Sequence, residues 1–227
     1  MPDQRAFMAA RNNADWYAMM WDIYGLRYTL DGDGFRAIDP PMPFHGWAVV
    51  TAPDASIRDI IAPTIGQRGF AVKDASGTND LSDVGLVKLF DATWLWHAPD
   101  AVADVADWEH IASPDALSRW EDAWRGTQPL DQRQFPDQIL NRGDVRIWGR
   151  QIKGGYDAGV IANLSADCVG VSNCFGTDAR PAATALCASF GQGKPLVGYE
   201  RGEDLAEALA MGWQKTGPLA VWHRPKA

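Results

Sequence analysis

The chain has 227 residues, enough for one large domain or two small ones with a buried core, so neither a disulfide framework nor a metal staple is needed. Lys and Arg number 21 against 29 Asp and Glu, and the net charge of -8 argues against nucleic acid or an anionic membrane as partner. Cys168, Cys174 and Cys187 lack CxxC or Cys/His spacing, which predicts free thiols in a reducing compartment and no metal site. The N-terminus has no apolar run of signal-peptide length, and no stretch reaches about 18 apolar residues, so the expected location is cytoplasmic. Eleven Trp, eight Phe and five Tyr are read chiefly as core fillers.

In chain order, residues 12–24 place Trp16, Met19, Met20 and Ile23 at helical spacing, stopped by Gly25. The sequence DGDG at 31–34 reads as a hairpin turn, and the Glu that would complete a calcium loop is missing. His45 follows a proline-stiffened connection and reads as a packed residue more readily than as a base. A strand is expected at 47–51, a helix at 55–65 and a second strand at 69–72. Residues 86–96 should form one strand or two, kinked near Asp91. A short strand at 108–111 precedes a helix that Ser113 caps and Pro114 opens, ending at Gly126; a short helix follows at 135–140.

From residue 145 the pattern is a meander of three strands, at 145–151, 156–164 and 168–175. A helix at 178–190, a strand at 195–199 and a helix at 203–211 follow. The last two strands, 213–216 and 219–223, are expected to be separate, split by Gly217-Pro218. Two segments share a plan of strand, helix, Gly-Gln turn, strand, Asp-Leu and a strand ending in Trp-His or Trp-Leu-Trp-His: residues 47–97 and 170–223. A duplicated fold and chance similarity both remain open on this pattern.

The element order from Trp108 to His223 resembles the GCN5-related N-acetyltransferase (GNAT) fold. Gly198-Tyr199-Glu200, Asp204-Leu205, Gly212-Trp213, Gly217-Pro218-Leu219 and Val221-Trp222 resemble the tail of a bacterial GNAT-like group, as do VKD at 72–74, LFDATW at 89–94 and VGVSNCF at 169–175. The resemblance implies an α/β (α+β) fold with a mixed, mostly antiparallel sheet flanked by helices. It also implies a tandem arrangement, with a degraded N-terminal half-copy at 1–106 and a C-terminal GNAT-like domain at 107–227.

The resemblance further implies an acyltransferase that moves an acyl (acetyl) group from acetyl-CoA or another acyl-CoA to a small-molecule amine. In the family, N–H groups near the end of the third meander strand hold the thioester carbonyl and pantetheine arm. Val169, Gly170, Val171 and Ser172 stand there. A Gly-rich loop then holds the pyrophosphate at a helix N-terminus; the matching loop keeps Gly176, Thr177 and Arg180 but not the Gln/Arg-x-x-Gly-x-Gly/Ala pattern. The tyrosine that usually protonates the leaving thiolate has no counterpart on the 203–211 helix, where Ala208 is nearest. Tyr199 is then the candidate acid, and Glu200 or Asp157 the candidate base. The alternative is a catalytically inactive protein on the same fold that binds another small molecule or a protein partner, a second copy of itself included.

Overall fold

The computed structural model describes residues 3–52, 56–128 and 132–225. The chain divides into two compact units, Met1–Trp96 with Gly198–Ala227, and His97–Val197.

The first unit opens with α1 (Gln4–Tyr24), which Asp3 caps by accepting from the Arg5 N–H and which Gly25 closes in a left-handed conformation. It begins eight residues earlier than the spacing of large apolar side chains suggests. Its first half buries the small Ala9 and Ala10, and the second half buries Trp16, Tyr17, Met20 and Trp21. The sheet order is β1 (Tyr28–Asp31), β2 (Gly34–Ala37), β3 (Ala48–Val50), β4 (Ala71–Asp74), β11 (Gln214–His223), β5 (Val87–His97). β1 and β2 form the expected hairpin, whose Asp31 carboxylate is taken by Arg36 and by the Asp33 N–H. β3 and β4 are parallel, joined by α2 (Ile57–Ile61). α2 is much shorter than the helix expected at 55–65: Ala62 keeps helical backbone, but Pro63 has no N–H to bond back to the Asp59 carbonyl; Ala55 lies outside the described residues.

β11 runs as one strand, correcting the two-strand reading of 213–223, and β5 takes the one-strand alternative expected for 86–96. Register shifts absorb the irregularity, one beside Thr216 on β11 and one opposite Leu89 on β5. Pro218 is tolerated because β4 pairs with β11 only from Ala220 to His223, so the missing N–H breaks no bond on that side. α5 (Gly202–Ala210) belongs to this unit and buries Ala208.

The second unit orders its strands β10 (Leu196–Glu200), β9 (Val169–Phe175), β8 (Gly155–Leu164), β7 (Val145–Ile152), β6 (Trp108–His110). Its share of β10 is Leu196 and Val197. β6 to β9 are antiparallel; β9 and β10 are parallel, joined by α4 (Arg180–Gly191). α3 (Pro114–Arg125) starts on the Ser113 cap as expected. The short helix near 135–140 is a 3-10 turn at Asp137–Asn141. Trp120 of α3 is fully buried and lies on two facing glycines, Gly149 of β7 and Gly159 of β8, donating its indole N–H to the Trp148 carbonyl at 2.8 Å. Seven of the eleven Trp are buried: Trp16, Trp21, Trp47, Trp94, Trp120, Trp213 and Trp222. Among the described residues no helix is long and apolar enough to cross a membrane.

Candidate functional site

The second unit concentrates unusual backbone in one place. β9 pairs with β8 from Leu164↔Val169 to Ile161↔Ser172, and the next aligned pair is Gly159↔Phe175. β9 thus takes three steps where β8 takes two, which is a β-bulge at Asn173 and Cys174. Asn173 adopts φ 52, a left-handed conformation that Asn tolerates better than most residues. Its side-chain amide donates to the Ser172 hydroxyl at 3.0 Å. A bulge lifts backbone groups out of the ladder and re-aims them. Nothing in the residue pattern 169–175 marks its position; Asn before Cys is the only trace.

Beyond the bulge the chain turns through Gly176 at φ 101 and Asp178 at φ 53 into α4. A Cβ on Gly176 would stand 2.4 Å from the Asp157 carbonyl oxygen and 2.5 Å from the Ala158 Cβ, so the turn presses its backbone against β8. Arg150 of β7 clamps it further, pairing with Asp157 at 2.8 Å and donating to the Thr177 carbonyl at 3.2 Å. The first turn of α4 has no side-chain cap, and Pro181 near its start lacks an N–H. The start of α4 carries the positive end of the helix dipole, which suits an anion.

The expected cofactor-binding residues are therefore brought together within this unit. Val169 and Gly170 are buried and pair with Leu196 and Val197 of β10; Val171 and Ser172 are half-buried and lead into the bulge. Gly176 and Thr177 are exposed in the turn, and Arg180 is buried in the first turn of α4. Asp157 sits at a bulge of β8, already ion-paired with Arg150.

Tyr199 and Glu200 fall in the first unit, at the end of β10. Tyr199 packs edge-on against Trp94 at 5.5 Å, and its hydroxyl accepts a hydrogen bond from the buried Lys73 ammonium at 3.1 Å. Lys73 had no part in the expected site, although a lysine inside the apolar strand 71–74 is the pattern of a buried cation. Burial works against its charge, but Tyr17 and Tyr199 oppose this and hold its pKa above the ordinary lysine value. His45 lies edge-on to Tyr17 and Trp21, with Nδ1 3.0 Å from the Pro43 carbonyl.

Burial, aided by Lys73 and opposed by the Pro43 bond, pushes the His45 pKa down from 6.5 to about 4. The unfolded chain binds this proton first as pH falls, so His45 costs nothing above pH 6.5 and lowers stability progressively between 6.5 and 4. We expect a loss of about 2 kcal/mol by pH 5 from this group alone. Urea unfolding of wild type and His45→Leu between pH 7.5 and 5 checks it: the variant should lose that part of the slope, and parallel curves would refute the assignment.

Among the described residues no group of three or more His, Cys, Asp or Glu side chains could hold a metal ion. No protein-family model matches the sequence. No curated protein matches it either. Solved structures do match in shape. A GCN5-related N-acetyltransferase from Kribbella flavida is 15% identical with a TM-score of 0.55, covering 96% of each chain. A GNAT-family protein from Novosphingobium aromaticivorans is 13% identical with a TM-score of 0.57, covering 93% of this chain and 96% of its own. A conserved protein of unknown function from Staphylococcus epidermidis is 8% identical with a TM-score of 0.52, covering 70% of this chain and 73% of its own. At such identities the likeness concerns fold alone. With its mostly antiparallel sheet flanked by helices, the chain has a GNAT-like fold.

Proposed function

We propose that the protein is a GNAT-type acyltransferase that moves an acyl group, acetyl in the simplest case, from acyl-CoA to a small-molecule amine. The observation that carries this reading is the bulged end of β9 followed by the tight turn into the uncapped α4. These residues fit a coenzyme A thioester. Backbone N–H groups around Val171, Ser172 and Asn173 are donors for the pantetheine arm and for a carbonyl on which negative charge develops. The Gly176–Thr177 turn and the first turn of α4 would receive the pyrophosphate, with Arg180 adding positive charge. That cradle needs no fixed side-chain pattern, which accounts for a loop departing from the family sequence. Bound acyl-CoA would supply an activated acyl group. Tyr199 as acid and Glu200 as base complete the proposed roles.

The parallel crossovers β3–α2–β4 and β9–α4–β10 support a tandem of half-copies, 1–106 and 107–227 in sequence, the first degraded. A cytoplasmic location is part of the same proposal. The second reading, a noncatalytic binding protein on this fold, is favoured by the buried Ala208 where the family carries a tyrosine.

The test is a thermal-shift titration with acetyl-CoA, coenzyme A and longer acyl-CoAs. At about 100 times its dissociation constant a ligand stabilises by roughly 2.7 kcal/mol. Gly176→Ala forces a Cβ into the Asp157 carbonyl at positive φ, so we expect at least a tenfold loss of acyl-CoA affinity in that variant. A flat wild-type response to every acyl-CoA refutes the transferase reading; binding without transfer to any amine favours the second.

A further inference from the structure

Lys73 lies in the middle of β4, in register with Val49 of β3 and Val221 of β11, and is 8% exposed. Its ammonium donates to the Asn13 side-chain oxygen at 2.9 Å and to the Tyr199 hydroxyl at 3.1 Å. The Tyr199 and Tyr17 rings lie 4.5 and 5.1 Å away. Every one of these partners is neutral. The Asn13 side-chain oxygen and the hydroxyls of Tyr199 and Tyr17 are its oxygen acceptors, and among the described residues no carboxylate pairs with the charge. Asp74, next in sequence, is occupied elsewhere: it accepts from the Ser76 N–H and hydroxyl and from both N–H groups of Asn79, all within 3.0 Å. An ammonium buried without a counter-ion is costly, and a fold that keeps one has a use for it.

We propose that Lys73, Asn13 and Tyr199 form a receptor for the carboxylate of a small molecule. One monovalent cation balances one carboxylate. The Asn13 side-chain NH2 and the Tyr199 hydroxyl add directional donors for its two oxygens. Asn13 and Tyr199 are half-exposed while Lys73 is buried, so the anion reaches the ammonium past these two side chains. The rings of Tyr17, Tyr199 and Trp94 give the ligand's stem an apolar wall. A phosphate dianion would need a second positive group; His45, beside Lys73, is neutral at physiological pH and does not provide one. The receptor is built from first-unit residues and does not depend on acyl-CoA binding.

The test is thermal unfolding at pH 7 in sodium acetate and sodium butyrate against sodium chloride and sodium phosphate, at matched ionic strength. Either carboxylate at about ten times its dissociation constant should raise the wild-type midpoint by roughly 2–4 °C over chloride. Lys73→Met keeps the stem and removes the charge; it should lose that response and melt no lower than wild type in chloride. Tyr199→Phe keeps the ring and loses the hydroxyl, and should weaken carboxylate affinity by about tenfold. The proposal is overturned by a flat wild-type response, by equal responses in wild type and Lys73→Met, or by phosphate stabilising more than the carboxylates. If Lys73→Met fails to fold, an unchanged carboxylate response in Tyr199→Phe overturns it. The acyl-CoA titration is read separately, so either proposal can fail alone.

Discussion

Gly159→Ala should be among the most damaging single changes in the second unit. The added Cβ would stand 2.2 Å from the Trp120 indole nitrogen and 2.5 Å from the Phe175 ring, and both rings belong to one edge-to-face cluster. Trp120 cannot retreat: Gly149 lies against the neighbouring Cδ1 of the same ring, Phe135 flanks it at 5.6 Å, and its N–H is held by the Trp148 carbonyl. A ring expelled from a closed core loses its burial and its hydrogen bond together, so we expect a cost of about 3–5 kcal/mol and a fall in midpoint on the order of 10 °C. A double-mutant cycle with Trp120→Phe gives the decisive reading. The smaller ring should relieve much of the damage, and a purely additive cycle would mean that the glycine matters for another reason.

Glu121→Ala should cost about 2–4 kcal/mol in urea unfolding, although it removes a side chain from the middle of a helix without breaking the helix. The Glu121 carboxylate is buried and organises the segment after the undescribed residues 129–131. It accepts from the backbone N–H groups of Gln134 and Phe135 and pairs with Arg133 at 3.2 Å. Deleting it leaves two buried N–H donors without an acceptor and frees Phe135 from its place beside Trp120 and Trp124. Glu121→Gln should recover only part of the loss, because the amide offers one acceptor oxygen where two are needed. Full recovery in the glutamine variant would refute this account.

What could be read from the sequence was local. The alternation at 145–151, the Ser113-Pro114 start and the glycine stop at Gly25 specify elements through short-range sterics and hydrogen bonding, and the structure has them. The start of α1 was hidden because its buried face is built from alanines, which carry little hydrophobic signal. The unity of β11 was hidden because Gly217-Pro218 normally ends a strand; whether a missing N–H matters depends on which neighbour would have received it. The proposed site was legible as a segment, 169–180, but not as a geometry. The bulge at Asn173 depends on how β9 aligns with β8, and the clamp on Thr177 comes from Arg150 on another strand. The Lys73 cluster joins residues 13, 17, 73 and 199, a spacing that no motif can express.

The first unit has a consequence for synthesis on the ribosome. β4 and β5 do not pair with each other; β11 lies between them and pairs with both. β5 ends at His97 and β11 starts at Gln214, so the gap takes on the order of ten seconds to translate. During that time two strand edges, one of them eleven residues long, wait for a partner that does not yet exist. The second unit, continuous from His97 to Val197, emerges whole in the meantime. The nascent chain is therefore most exposed to mispairing just before its last strand is made, and a chaperone that shields β-edges would serve this protein in that interval.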